Sequence, residues 1–144
     1  MIKINYPPYT PKIKQSADKE LIFDEVRKLW VILTPEEWVR QNILQYLIQV
    51  MQYPASLIAI EKEIQLGELK KRFDIVVYDR NTLPWMIIEC KEMNVELDTS
   101  VLDQVLRYNQ VLKVPFLIIT NGSHCAGYNT ENGELVELVE LPEF

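Results

Sequence analysis

The chain has 144 residues, 48% of them hydrophobic and 25% charged, with four glycines. That length fits one domain around one core and excludes two ordinary domains, and the composition is that of a folded globular chain, neither disordered nor fibrous. Fifteen basic against 21 acidic residues leave a net charge of -6, which opposes strong autonomous binding to a phosphate backbone.

The apolar run Leu29-Trp30-Val31-Ile32-Leu33 is far below the roughly 20 residues that cross a bilayer, so no membrane span is expected. The opening residues are polar, broken by proline and without an apolar h-region, which does not read as a secretory signal and implies a cytoplasmic location. Cys90 and Cys125 lie far apart with no CxxC spacing, as reduced thiols do, and offer no thiolate zinc site.

In chain order, Tyr6-Pro7-Pro8-Tyr9-Thr10-Pro11 cannot sustain a helix or a central strand and reads as an extended arm, taken as residues 1–19. Leu21-Ile22-Phe23 and Leu29 to Leu33 form two short apolar groups, readable as a hairpin or one helix, with strands preferred. Thr34-Pro35-Glu36-Glu37 places an N-cap threonine before a proline at N1, with Glu37 at N3 to close a capping box. Val39, Ile43, Leu47 and Val50 then recur at helical spacing until Tyr53-Pro54. Ser56 to Ile64, Phe73 to Tyr78 and Trp85 to Cys90 read as three consecutive antiparallel strands, with Gly67, Lys70 and Lys71 in the first turn region. Ser100 to Leu112 reads as a second helix through Val101, Val105 and Leu112. Phe116 to Thr120 reads as a buried strand ended by Asn121-Gly122, and Ala126 to Tyr128 with Leu135 to Leu138 as a closing hairpin.

If Asn81 and Thr82 centre the turn between Phe73 and Lys91, Asp74 lies directly opposite Glu89, and Lys91 shares their face. Val76, Tyr78, Ile87 and Trp85 follow on that face, leaving two like charges against an apolar wall. That arrangement is destabilising unless a cation sits between them. Two carboxylates without His or Cys select a hard ion, Mg²⁺ or Mn²⁺. Taken alone, Glu89-Cys90-Lys91 is also the pattern of a solvated same-face ion pair. The preceding run Trp85-Met86-Ile87-Ile88, apolar on both faces, instead marks a central covered strand where charges are costly.

Asp74 followed by Glu89-Cys90-Lys91 resembles the PD-(D/E)XK nuclease motif, with Phe73 in place of the proline that names it. Thr34 to Gln41, Arg72 to Val77, Ile88 to Lys91, Gln104 to Asn109 and Thr120 to Gly122 are together similar to the N-terminal nuclease domain of type I restriction enzyme R subunits, and Gln104 to Tyr108 resembles the QxxxY motif of RecB-like nucleases. The resemblance covers roughly residues 20–128, with 129–144 as a C-terminal strand and tail. It implies a single α/β domain with a restriction-endonuclease-like core, a mixed central sheet flanked by helices, performing Mg²⁺-dependent phosphodiester hydrolysis in DNA. The ATP-driven helicase that accompanies such a domain is not in this sequence, which implies a helicase or targeting chain as partner besides nucleic acid.

In that reading Asp74, Glu89 and the backbone carbonyl of Cys90 hold the metal, and Lys91 stabilises the nucleophile or the transition state. Glu36, close to the stripe of Val39, Ile43 and Leu47, joins the site, while Glu37, rotated off it, serves the cap. Gln104 and Tyr108 share a helical face and are candidate substrate contacts, and Lys70, Lys71 and Arg72 form a basic lip. His124 reads as a loop residue, and Trp30, Trp38 and Trp85 as core or rim. The rival reading is a catalytically silent nuclease-fold domain that binds a protein or nucleic acid within a larger complex.

Overall fold

A computed structural model describes residues 1–144, the side chains at positions 66, 69 and 108–112 excepted. The chain forms β1 (Ile13–Ser16), β2 (Lys19–Asp24) and β3 (Leu29–Ile32), then α1 (Pro35–Gln45) continued by a π-helical turn, Tyr46–Val50. After a 3₁₀ turn come β4 (Ile58–Leu66), β5 (Leu69–Tyr78), β6 (Pro84–Cys90), α2 (Thr99–Leu112), β7 (Phe116–Thr120), β8 (Cys125–Asn129) and β9 (Val136–Glu137). The first three strands make an antiparallel meander and the other six one sheet in sequence order. Only β6 and β7 pair in parallel in that larger sheet. A parallel neighbour requires a crossover, and α2 supplies it.

Val39 and Ile43 of α1, with Leu47 of the π-helical turn, cover one face of the larger sheet, with Ile75, Val77, Met86 and Ile88 beneath them. Val105 of α2 covers the other, against Val76, Ile87, Leu117 and Ile119. This two-sided cover explains why β6 is apolar at consecutive positions. The fold is the mixed central sheet between helices that the sequence implies.

Thr34 caps α1 as expected, its Oγ1 accepting the Glu37 N–H at 3.0 Å with Pro35 at N1. The other half of the box is absent: the Glu37 carboxylate is buried and turned to arginines. The expected stripe ends one turn early. Val50 is 47% exposed because the helix widens to the π-turn, closed by Met51 N–H on the Tyr46 carbonyl at 3.1 Å, and wider winding carries Val50 off the buried side.

Two boundaries also move, and one residue changes face. The arm ends at residue 12, because Ile13–Ser16 pairs with β2; its Ile2 N–H donates to the Cys125 carbonyl at 2.7 Å and Tyr9 stacks on Trp38. Lys70, Lys71 and Arg72 are strand residues of β5, opposite Gln65, Ile64 and Glu63, and the turn before them is made by Gly67, at φ +60°, with Glu68. Trp85 does not share a face with Ile87. Val77 pairs with Met86 but Tyr78 with Pro84, so Trp85 is the extra residue of a bulge, and it packs edge-on against Tyr53, Phe116 and Phe144.

Candidate active site

The β5–β6 register pairs Ile75 with Ile88, Val76 with Ile87 and Val77 with Met86, the register that places Asp74 level with Glu89. The backbone ladder ends at Ile75, and beyond it a side chain takes over: the Cys90 N–H donates to Asp74 Oδ2 at 2.7 Å. One residue further, the Lys91 N–H donates to the Thr120 carbonyl at 2.8 Å, so β7 fixes the backbone that carries Lys91. Asp74, Glu89 and Lys91 therefore stand where the two strands diverge, at the end of a rigid central strand.

Glu89 is buried at 8% exposure, and its Oε1 has no hydrogen-bond partner. Burial first, and the Asp74 charge second, push its pKa up to about 7, although Lys71, the Asp74 backbone N–H and Lys91 all oppose the rise. Glu36, exposed in the first turn of α1, joins the same field. Partial burial and the Asp74 charge raise its pKa, against the pull of Lys91 and Arg40. The Cys90 thiol is wholly buried and held far above its ordinary range, which makes it inert packing.

Sequence reasoning missed the polar cluster behind these groups. Arg40 is buried, and its guanidinium reaches Glu37 at 2.8 and 2.9 Å, Glu61 at 3.3 Å and Asp74 Oδ1 at 3.4 Å. Burial works against its charge, but Glu37, Asp74 and Glu61 outweigh burial and raise its pKa. Arg27, in the β2–β3 turn, bonds Asp24 at 2.7 Å and Glu37 at 3.2 Å, and Gln41 donates to Asp24 at 2.9 Å. Glu61 holds φ at +53° in the middle of β4, a left-handed conformation that a non-glycine residue adopts at a cost of about 1–3 kcal/mol. A sequence signal existed in the Glu37–Arg40 spacing of three, which puts both on one helical face. Nothing local announces Glu61.

The other expected contacts are scattered. Gln104 is exposed on α2 and, among the described residues, makes no hydrogen bond to Asp74, Glu89 or Lys91. The Tyr108 side chain lies outside the described residues. Lys71 lies over the Phe73 ring at 5.3 Å and acts on Glu89, whereas Arg72 sits opposite Glu63 on an exposed stretch. Those three basic residues therefore do not form one lip. His124 is an exposed loop residue whose N–H donates to Asn121 Oδ1 at 2.7 Å.

The donor set can be tested against a divalent metal. Among the described residues no group of three or more His, Cys, Asp and Glu side chains is gathered as for a metal enclosed by protein ligands. An orphaned buried Glu89 oxygen beside Asp74 does fit a hard cation that keeps several waters and takes only one or two carboxylates, which is the habit of Mg²⁺.

A protein-family profile described as Type I restriction enzyme R protein N terminus (HSDR_N) matches residues 35–142. The chain belongs to this family. Among solved structures it is similar to a fragment assigned as an HsdR subunit of a type I restriction enzyme from Vibrio vulnificus YJ016, at 20% identity and a TM-score of 0.55, over 76% of this chain and 24% of that one. It is also similar to a protein assigned to the nucleases of DUF820 from Anabaena variabilis ATCC 29413, at 12% identity and a TM-score of 0.50, over 88% of this chain and 80% of that one. These likenesses show the fold, a restriction-endonuclease-like α/β core. No curated protein matches the chain. This family member spans about a quarter of the Vibrio chain it resembles. Among its described residues, no helix is long and apolar enough to cross a membrane.

Proposed function

We propose that this domain hydrolyses phosphodiester bonds in DNA with Mg²⁺ or Mn²⁺, as the nuclease part of a larger assembly that supplies a helicase or targeting chain. The observation that carries the reading is the unpartnered buried oxygen of Glu89 beside Asp74, two residues before Lys91. Asp74, Glu89 and the Cys90 carbonyl would hold the cation, which when bound polarises a phosphoryl oxygen and acidifies a water. Lys91 places a positive charge beside the nucleophile and the developing phosphorane. Arg40 holds Asp74 from behind, and Glu36 adds an acid at the mouth. Gln104 and Tyr108 remain candidate substrate contacts. The net charge of -6 favours the alternative, a silent module that only binds partners.

The deciding experiment follows cleavage of linear duplex, supercoiled and single-stranded DNA with Mg²⁺ or with chelator, alongside metal-dependent thermal stability. Wild type should cleave only with metal and should gain stability from it by mass action. Lys91→Ala should keep the thermal shift and lose about 10² to 10³ in rate, whereas Glu89→Ala should lose both. Wild-type cleavage rates in Lys91→Ala would remove this site as the source, and a metal-bound protein inactive on every substrate would favour the silent module.

A further inference from the structure

The meander of β1, β2 and β3 has two unlike faces. Ile22 and Asp24 are fully buried, and Asp24 accepts the Gln41 amide of α1, so this is the side that docks on the helix. Alternation puts Lys14 of β1, Lys19, Leu21 and Phe23 of β2, and Trp30 and Ile32 of β3 on the opposite side, with Lys12 one step ahead of β1. Pairing confirms the common face: Lys14 sits opposite Leu21, Leu21 opposite Ile32, and Phe23 opposite Trp30.

These positions, Lys12 just before β1 included, hold lysines at three points and no carboxylate, in a chain of net charge -6; the exposed Asp18 stands in the β1–β2 turn beside Lys19. Glu25, in the turn beyond β2, is paired with Lys28 at 3.7 Å. The ammonium of Lys14 lies 4.3 Å from the Trp30 ring centre and that of Lys12 5.4 Å from the Phe23 ring centre, so two of the charges rest on a pair of aromatic rings. An ordered cation loses less entropy on binding an anion than a free one. The edge of the face borders a cleft of about 710 Å³, which Leu21, Trp30 and Ile32 line together with Arg27 and Arg40 and with the carboxylates Glu36, Glu37, Glu61 and Glu92.

We propose that this outer face is a docking surface for the phosphate backbone of the nucleic-acid substrate, feeding it past Glu36 and Arg40 to Asp74 and Glu89. The inference rests on the nuclease reading for its direction, but names a surface that reading does not require. The occupant is nucleic acid because the cations are lysines on face positions that carry no carboxylate, with the acids confined to the turns and the adjoining cleft, and lysine is depleted where proteins dock with one another. The rings support the cations; they are not offered as a base-stacking platform, since Lys14 already covers Trp30.

The test is anisotropy of a labelled duplex DNA across a salt series, with Ca²⁺ replacing Mg²⁺ to prevent cleavage, comparing wild type with the triple variant Lys12→Gln, Lys14→Gln, Lys19→Gln. All three side chains are exposed, so the fold should persist, which circular dichroism checks. The variant should bind about tenfold or more weakly, and its slope of log affinity against log salt should fall by about 2 to 3, one unit per lost phosphate contact. Equal affinity and slope in the two proteins would overturn the surface, as would a wild type that binds no DNA. A variant that changes only its mass in light scattering would show a self-association face instead, and would also overturn it. Single-turnover cleavage in Mg²⁺ separates this from failure of the nuclease reading. If only the surface is wrong, cleavage persists and still depends on Lys91; if only the chemistry is wrong, the lysine-dependent salt slope remains without cleavage.

Discussion

Glu89 is held in a position that an ionised carboxylate resists. Its raised pKa means that the folded protein binds this proton more tightly than the unfolded chain does, so the sign is opposite to that of a salt-bridged acid. Its contribution to stability is fully present below the unfolded value near 4.5 and is lost as pH rises through about 7. The difference is on the order of 3 kcal/mol. Metal-free protein in chelator should therefore weaken between these pH values in denaturant melts, and Glu89→Gln should flatten the decline and exceed wild type in stability at neutral pH. Millimolar Mg²⁺ should restore wild type and leave Glu89→Gln unmoved. An equal pH decline in both proteins would place the strain elsewhere. Asp74→Asn should also blunt the metal response, while its side-chain oxygen can still accept the Cys90 N–H, so the strand junction should stay closed.

At the scale of elements, α1 is tied to β4 and β5 by one buried guanidinium, that of Arg40. Removing Arg40 leaves the Glu37 carboxylate buried with Arg27 as its remaining cation, and loosens Glu61 and Asp74 together. Arg40→Ala should cost about 3–5 kcal/mol in denaturant unfolding, the range for breaking a buried pair from one side. Arg40→Lys should recover only part of it, because one ammonium cannot serve three carboxylates in fork geometry. A loss below 1 kcal/mol would mean that water already replaces these bonds. This cluster also marks the limit of reading the sequence. The helix start, the three consecutive strands and the second helix were legible, because capping and alternation are local and periodic rules; the Asp74–Glu89 level was also read, but the turn is not centred on Asn81 and Thr82, and it is the bulge at Trp85 that brings the strands into that register. The fate of Val50 depended on a π-turn, that of Trp85 on a bulge, and that of Lys70 to Arg72 on how far β5 runs past its apolar stretch. The carboxylate of Glu37 was misread although its shortest bonds go to Arg40 three residues on in the same helix, a readable spacing; its second cation, Arg27, comes from the meander and was not legible. The other misses turn on local changes of winding, register or strand length, which composition and spacing do not encode.

For the whole molecule, charge sets how the site meets its substrate. With a net charge of -6, the isolated chain repels a phosphate backbone at long range, and any attraction must come from local clusters within roughly a Debye length, about 10 Å at 0.1 M salt. Lys71 lies close enough to lower the pKa of Glu89, whereas Lys70 and Arg72 stand on exposed strand positions beside it. Such contacts act on capture more than on the bond-breaking step. Cleavage by the isolated domain should therefore show kcat/KM falling steeply with salt while kcat at saturating DNA changes little. Changing Lys70, Lys71 and Arg72 together to Gln should lower kcat/KM and flatten its salt slope. Joining the domain to a DNA-bound motor chain should recover the lost capture, because tethering replaces diffusional encounter with a local concentration that can reach the millimolar range. A kcat that falls along with kcat/KM in the triple variant would instead place one of the three at the reacting phosphate, with Lys71, the one acting on Glu89, the first to test singly.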